Sequence, residues 1–426
     1  MKRVVVTGIG VVASNGLGKT EFTNSLLEGK SGIKHIAELE ELGFGCQIGG
    51  VPDISTSKFN SFIELYGMQT TSLMIKYAVI AGLEAWLDAK LPIPLHDSKD
   101  VDYNTGAIIG GGMGAIDVYG ERIIPLTNNK NIKKLRSTIV ENVLLSGGSA
   151  SLSKILAIGN QLTFNSSACN TGAEAILMAY ERIKYGKATR MLAGSSEAYS
   201  VWNWSPFDAL HVTTRKHNNE PEKGSRPMSE SASGFVPSAG AGIFILEELQ
   251  SALKRNAPIY AELKGGYINS GGQRNGGSMT APSTEGVINC IKGALYETNT
   301  KPKEINFISG HLSSTMADVL EIQNWSKALE LSGNKFPIII STKSLIGHSL
   351  GAAGSIESIA AVLQLYHQFI HPSVNCEDIH PAIEKIVNKN SIPQHTIQNI
   401  PLNCVAKASF GFGDVNTCLI FKKLNK

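Results

Sequence analysis

One cysteine, two histidines and one lysine stand in surroundings that suit covalent acyl chemistry. Cys169 lies in Asn165-Ser-Ser-Ala-Cys-Asn-Thr-Gly-Ala-Glu-Ala-Ile176, between small polar residues and a stretch that opens like a helix. A cysteine at a helix start faces unpaired amide N–H groups and the positive end of the helix dipole, which favour a thiolate. A free cysteine is otherwise a small core hydrophobe, so other groups must converge on it before it reads as a nucleophile. His311 follows an apolar run in Ile308-Ser-Gly-His-Leu-Ser-Ser-Thr315. Lys343 and His348 follow another in Ile338-Ile-Ile-Ser-Thr-Lys-Ser-Leu-Ile-Gly-His-Ser-Leu-Gly-Ala-Ala-Gly354. Ala408-Ser-Phe-Gly-Phe-Gly-Asp-Val-Asn416 reads as a glycine turn between strands. Ligands of open α/β sheets bind beyond the carboxyl ends of the strands, where both histidines fall. A cysteine and two histidines so placed form a candidate acyl-transfer site. Thioester exchange needs a nucleophile that also leaves readily, and a thiol does both.

The elements that must position these groups alternate. Strand-like runs occur at Val4–Val6, Gly106–Ile109, Met191–Ala193, Ala241–Leu246, Ile259–Leu263, Ile305–Ile308, Ile338–Ile340 and Thr417–Phe421. Helical patterns cover Ala173–Tyr185, Val287–Leu295 and Ala352–Tyr366. This alternation predicts an α/β fold with a buried sheet. A charged stretch at Gln250–Pro258 divides the chain into expected halves, 1–250 with the cysteine and 251–426 with the histidines.

Composition narrows the function. The chain has 426 residues, 42% of them hydrophobic, and a net charge of +3, which is too weak to argue for nucleic acid. The most basic local run, Lys130–Arg136, reads first as a solvated helix face. Six cysteines, at 46, 169, 290, 376, 404 and 418, are dispersed without a CxxC pair, so neither a disulfide framework nor a metal site is expected. The reading is a cytoplasmic protein. The opening MKRVVVTGIGVVAS mimics a signal peptide, but its apolar run is broken by Thr7, Gly8 and Gly10 and fits a buried strand better. No run approaches the roughly 20 apolar residues of a membrane helix. Gly16-Leu-Gly-Lys-Thr20 ends like a phosphate loop, yet Ala13 stands where that motif needs its first glycine.

Together these stretches resemble the condensing enzymes of the thiolase superfamily, most closely the elongating β-ketoacyl-ACP synthases of type II systems. The matching segments are the Cys169 context, His311 in HLSST, STKSLIGHSLGAAG around Lys343 and His348, and SFGFGDVN with Phe410. Further matches are VVVTGIGVVASNGLG, SRP at 225–227 and SGFVPSAGAG at 233–242. The resemblance implies a duplicated thiolase-like fold, a five-layered α-β-α-β-α sandwich of two five-stranded sheets, assembled as a homodimer. It implies that Cys169 carries the acyl chain while its own amide and that of Phe410 form an oxyanion hole. His311 and His348, as neutral N–H donors, would stabilise the enolate of a malonyl thioester, with Lys343 orienting His311 and Glu321 supporting the site. Thr280, Ser313 and Thr315 match contacts to a phosphopantetheine arm delivered by acyl carrier protein, the enzyme having no cofactor of its own. Arg215 matches a carrier contact, and Ile108 and Met113 match residues shaping the acyl pocket.

Several positions depart from the family pattern. Leu312 replaces a glycine, Met316 a proline, Ala239 a glutamate, and Asp414-Val415 a Gly-Thr pair. These altered loops suggest a divergent branch of the fatty acid or polyketide/polyene condensing enzymes, serving polyene or polyketide assembly rather than housekeeping fatty acid synthesis. A degradative thiolase would need a second cysteine within Ser409–Asn416, which has none. An initiating synthase would carry asparagine where His348 stands. A non-catalytic chain-length-factor-like subunit of a ketosynthase heterodimer is the alternative from another class, and the intact Cys169 opposes it.

Overall fold

The computed structural model describes residues 1–424. Ten strands and six helices carry the architecture. In chain order they are β1 (Val4–Ala13), α1 (Leu73–Asp88), β2 (Thr105–Gly110), α2 (Gly147–Leu156), β3 (Leu162–Thr163), α3 (Thr171–Lys184), β4 (Arg190–Glu197) and β5 (Gly240–Glu248). The second set is β6 (Ala261–Ser270), α4 (Thr284–Glu297), β7 (Phe307–Ser309), α5 (Ala317–Leu329), β8 (Ile338–Ile340), α6 (Ala353–His367), β9 (Cys404–Gly411) and β10 (Val415–Lys422). The sheet order is β3-β2-β4-β5-β1 followed by β6-β10-β9-β7-β8. Numbered within each set, both runs read 3-2-4-5-1. In each, the second strand is parallel to its neighbours and the fifth antiparallel. The duplication below sequence similarity is therefore visible as repeated topology. The two five-strand runs are also joined, since β1 pairs with β6 over Val4–Val6.

Side-chain alternation along the strands separates the layers, because successive residues point to opposite faces. On β5, Phe244 and Leu246 enter the central core, while Ala241, Ile243 and Ile245 face α1 and α2. On β10, Leu419 and Phe421 face the same central core, and Cys418 and Ile420 face the cluster holding α4 and α5. Helices α3 and α6 fill the middle, packed between the two runs of strands. The layers are thus α1/α2, sheet, α3/α6, sheet, α4/α5, the expected five-layered sandwich. Glycine makes the central crossing possible. A β-carbon at Gly172 would lie 2.5 Å from the Ser355 nitrogen, and one at Gly354 2.5 Å from the Ala173 nitrogen. The starts of α3 and α6 meet there, bringing the segments of Cys169 and His348 together.

Several elements were not legible in the periodicity. Helix α1 is apolar nearly all round, with Met74, Ile75, Ala78, Val79, Leu83 and Trp86 all buried, so it shows no one-sided stripe. Strand β9 takes in Ala408–Gly411, which the sequence assigned to a turn. The Gly16–Thr20 stretch holds no phosphate cradle, because the Glu84 carboxylate accepts the Lys19 amide at 2.6 Å and the Val11 amide at 2.9 Å.

Candidate active site

Cys169 sits on a tight turn immediately before α3. Ala168 precedes it with φ 51°, a left-handed conformation that costs an L-residue energy and is held here by local hydrogen bonds. The Thr171 hydroxyl donates to the Ala168 carbonyl at 2.7 Å and accepts the Ser167 amide at 2.9 Å. Strand β9 passes close by at Gly411, where a β-carbon would come within 3.3 Å of the Cys169 nitrogen. The Phe412 amide then points at the Cys169 sulfur. Burial pushes the thiol up to about 11, against the pull of Lys343 and the Phe412 amide. The helix start therefore does not give a resting thiolate as the sequence suggested. Desolvation outweighs the dipole at a thiol only 9% exposed.

His311 and His348 complete the centre. Each offers a ring nitrogen within 4.8 Å of the other and of the Cys169 sulfur, and the rings stand edge to face with centroids 5.2 Å apart. Their tautomers follow from their partners. His348 Nδ1 accepts the Leu350 amide at 3.1 Å. Lys343 Nζ, an obligate donor when charged, lies 3.4 Å from His311 Nδ1 and donates to the His311 carbonyl at 2.6 Å. Both Nδ1 atoms are acceptors, so in each neutral ring the proton rests on Nε2. Burial, then the charge of Lys343, holds both histidines well below their usual range, with His348 and Lys407 adding to the effect on His311 and Lys407 to that on His348. Two N–H donors thus face the thiol, an arrangement for a developing anion rather than a metal cation.

A buried charge cluster lies behind them. Glu357 of α6 pairs with Lys343 at 2.5 Å and with Lys407 of β9 at 2.9 Å, and all three are at most 1% exposed. The loop carrying His311 is tied down by two acids of α5. Glu321 accepts the amides of His311 and Leu312, each at 2.7 Å, while Asp318 accepts those of Ser313 at 2.7 Å and Ser314 at 3.0 Å. Burial raises the Glu321 carboxyl to about 7 despite these bonds. A cavity of about 440 Å³ leads from Cys169, His311 and His348 past Phe412, Thr280 and Ser313 to Thr315 and the exposed Met316.

The comparisons decide the family. Residues 1–252 match the family model "Beta-ketoacyl synthase, N-terminal domain", and residues 260–377 match "Beta-ketoacyl synthase, C-terminal domain". The chain belongs to the beta-ketoacyl synthase family. It is 35% identical over 426 residues to 3-oxoacyl-[acyl-carrier-protein] synthase 1 of Escherichia coli (strain K12), covering 100% of both chains. To 3-oxoacyl-[acyl-carrier-protein] synthase 2 of Vibrio harveyi it is 33% identical, covering 99% of each. Among solved structures, a type II PKS acyl-carrier protein in complex with its ketosynthase bound to the hexaketide superposes with TM-score 0.87. That match has 29% identity and covers 99% of this chain and 100% of the other.

Within this synthase frame, the site residues expected from the sequence divide into two groups. Cys169, His311, His348, Thr280, Ser313, Thr315, Glu321 and Phe410 all line the one cavity, and Lys343 lies behind His311. Phe410 is displaced from its expected role. It lies on β9 opposite Asn416, its ring packs 6.4 Å from that of His311, and the amide aimed at the sulfur belongs to Phe412, two residues on. Ile108 does not line the cavity: it is 1% exposed on β2, inside the central core. Met113 is 40% exposed and is not among the residues lining the cavity. Arg215 stands outside the cavity, its guanidinium donating to the Asp208 carbonyl at 3.0 Å. Leu312, replacing a glycine, needs no positive φ. That conformation falls on Ser314 at 66°, and Leu312 is buried against α5.

Sequence reasoning missed Phe412, Glu357, Lys407 and Glu197, and read Asp414 only as a departure from the family pattern. Each of the two charged residues Glu357 and Lys407 did leave a signal, a lone charge in an apolar run. Glu197 accepts the amides of Gly112 at 2.7 Å, Met113 at 3.2 Å and Gly351 at 3.0 Å, joining the GGGMG loop to the turn after His348. Asp414 accepts the amides of Ser283 at 2.8 Å and Gln273 at 3.0 Å, clasping the Phe412 turn to the loop bearing Thr280.

Proposed function

We propose that this chain catalyses decarboxylative Claisen condensation of an acyl group on Cys169 with malonyl-ACP, giving β-ketoacyl-ACP. In the first half-reaction the Cys169 sulfur attacks the acyl-ACP thioester. The tetrahedral oxyanion is stabilised by the Cys169 and Phe412 amides, and collapse releases the carrier thiol, which takes the proton the cysteine gave up. In the second, the malonyl thioester carbonyl lies on the Nε2–H groups of His311 and His348. Its carboxylate leaves as CO₂, and the enolate oxygen is held by those two donors. The carbanion attacks the acyl-cysteine. Collapse expels the Cys169 thiolate, which is reprotonated from solvent. The observation that carries this reading is the pair of fixed Nε2–H donors facing one buried thiol.

Thr280, Ser313 and Thr315 line the way in and suit the hydroxyl and amide groups of the phosphopantetheine arm. We assign the acidic carrier to the face around Arg215, whose half-exposed guanidinium supplies the charge for steering. The six separate thiols fit a cytoplasmic setting, and the structure has no helix long and apolar enough to cross a membrane among the described residues. We divide the chain into halves at 1–250 and 251–426, following the repeated topology. The homodimer is supported by apolar groups at the surface. Met113, Tyr119, Ile124, Leu144, Leu145 and Trp202 are each at least 40% exposed, and Gly114 abuts Leu145 as Gly120 abuts Trp202. An acyl pocket reaching Met113 would close against that partner.

Purified enzyme with acyl-ACP and malonyl-ACP tests the reading. Cys169→Ala should lose acyl-enzyme formation and condensation. If the variant still supports a partner ketosynthase at full rate, the chain is a non-catalytic subunit instead. Saturated, unsaturated and aryl primers offered in parallel identify the acyl class, and a uniform preference for saturated chains refutes the polyketide or polyene assignment.

A further inference from the structure

Part of the wall of the cavity leading to Cys169 is a loop with no apolar anchor of its own. Ala232, Ser233 and Gly234 line the cavity, and the run that carries them, Ser229-Glu-Ser-Ala-Ser233, consists of three serines, a glutamate and an alanine. Serine-rich segments of this kind take their shape from hydrogen bonds rather than from packing. Here the bonds come from one node. Arg226 is only 6% exposed and lies between Glu377 and Asp378, its Nη2 3.0 Å from a carboxylate oxygen of each, while its Nε donates to the Ser231 hydroxyl at 2.7 Å. Asp378 accepts the Ser231 amide at 3.0 Å and the Ser229 hydroxyl, and its carbonyl accepts the Glu230 amide at 2.7 Å. A guanidinium held by two carboxylates is a rigid fork, so it fixes Ser231 in place. The flanks of the loop do not need that side chain. The Arg226 amide donates to the Ser314 hydroxyl at 3.0 Å, the Gly234 amide donates to the Ser314 carbonyl at 2.9 Å, and the Ser225 hydroxyl donates to the Lys343 carbonyl at 2.6 Å.

We infer that Arg226 is a positioning residue for substrate binding: its side chain, through Ser231 and Asp378, sets the Ala232–Gly234 wall against which the thioester-bearing arm lies. The inference rests on the condensing reading above. With the thioester carbonyl fixed at Cys169, His311 and His348, the arm runs outward through the cavity that this wall bounds together with Thr280, Ser313 and Thr315. Arg226 itself is not among the residues lining the cavity. Removing its guanidinium therefore loosens the wall and leaves the thiol and the two imidazoles where they are.

Decarboxylation of three malonyl thioesters separates the wall from the chemistry and from the carrier: malonyl-ACP, malonyl-CoA, which has the arm without the carrier protein, and malonyl ethyl thioester, which has neither. In Arg226→Gln, kcat/KM for malonyl-ACP and for malonyl-CoA should each fall on the order of tenfold relative to that for the ethyl thioester, with KM carrying the change. Ser231→Ala removes only the acceptor of the Arg226 Nε–H and should move both ratios in the same direction. The double variant should be no worse than Arg226→Gln, because the two substitutions act through one contact. Ser231→Ala, at a half-buried serine, carries the test should Arg226→Gln fail to fold. An equal loss on all three thioesters means that the node only supports the fold, and a loss confined to malonyl-ACP places the effect on the carrier; either result, or unchanged ratios, overturns the inference. A parent enzyme that turns over none of the three refutes the condensing reading, and the inference with it.

Discussion

Lys343→Met probes how the buried charge cluster works. Lys343 donates to the His311 carbonyl and lies against His311 Nδ1, while sharing Glu357 with Lys407. Removing one partner of a buried ion pair ordinarily costs about 3 to 5 kcal/mol, because the other charge is stranded. Here Lys407 stays 2.9 Å from Glu357, so the carboxylate keeps a cation. The loss is then mainly one charge-assisted hydrogen bond, about 2 kcal/mol. For 426 residues the unfolding entropy is about 0.9 kcal/mol per degree, so Tm should fall by about 2 °C. Lys343→Met with Lys407→Met strands Glu357 and should lower Tm by about 5 °C or more. Function responds differently. Without Lys343, His311 is free to place its proton on Nδ1 and turn a lone pair toward the enolate, which amounts to losing one oxyanion donor. Malonyl decarboxylation, followed as CO₂ release in single turnovers, should drop about 100-fold in the single variant. A single variant as unstable as the double, or one with undiminished decarboxylation, refutes the account.

Other outcomes follow from the same geometry. The Cys169 thiol, pushed up to about 11 by burial, should be alkylated by iodoacetamide at a rate rising about tenfold per pH unit from pH 7 to 10, and a plateau near pH 8 would contradict this. Because burial and Lys343 hold the His311 and His348 pKa values below the usual range, lowering the pH from 8 to 6 leaves both rings neutral. Malonyl decarboxylation should therefore stay flat over that window, and a decline with a midpoint near 6.5 counts against neutral donors. Asp414→Asn puts an NH₂ against one of the two amide donors that the carboxylate holds, of Ser283 and Gln273. It should cost about 1 to 3 kcal/mol in denaturant melts and raise KM for malonyl-ACP more than it lowers kcat, whereas unaltered kinetics would show that the clasp does not position the Phe412 turn.

The sequence by itself singled out Cys169, His311, Lys343 and His348 as candidates, because each sits in a short segment whose residue types suit a polar site at the end of a strand or the start of a helix. It also gave the α/β class, since strands such as Gly240–Glu248 are continuous apolar runs and α3 has one buried face. Tertiary structure decided everything that depends on groups distant in the chain. Only the crossing of α3 and α6 at Gly172 and Gly354 brings His348 to the thiol, and only the packing of α5 and Lys343 against the loop after β7 sets His311 beside them. Burial, a property of the whole fold, sets the thiol's protonation against the local pull of the helix start. Which amide reaches the sulfur depends on where β9 ends and turns, a matter of one or two residues that the run SFGFGD does not fix. The pairing of Glu357 with both lysines likewise exists only once α6 and β9 are packed. A lone polar residue in an apolar run signals that it has a partner, and the folded chain alone says which one.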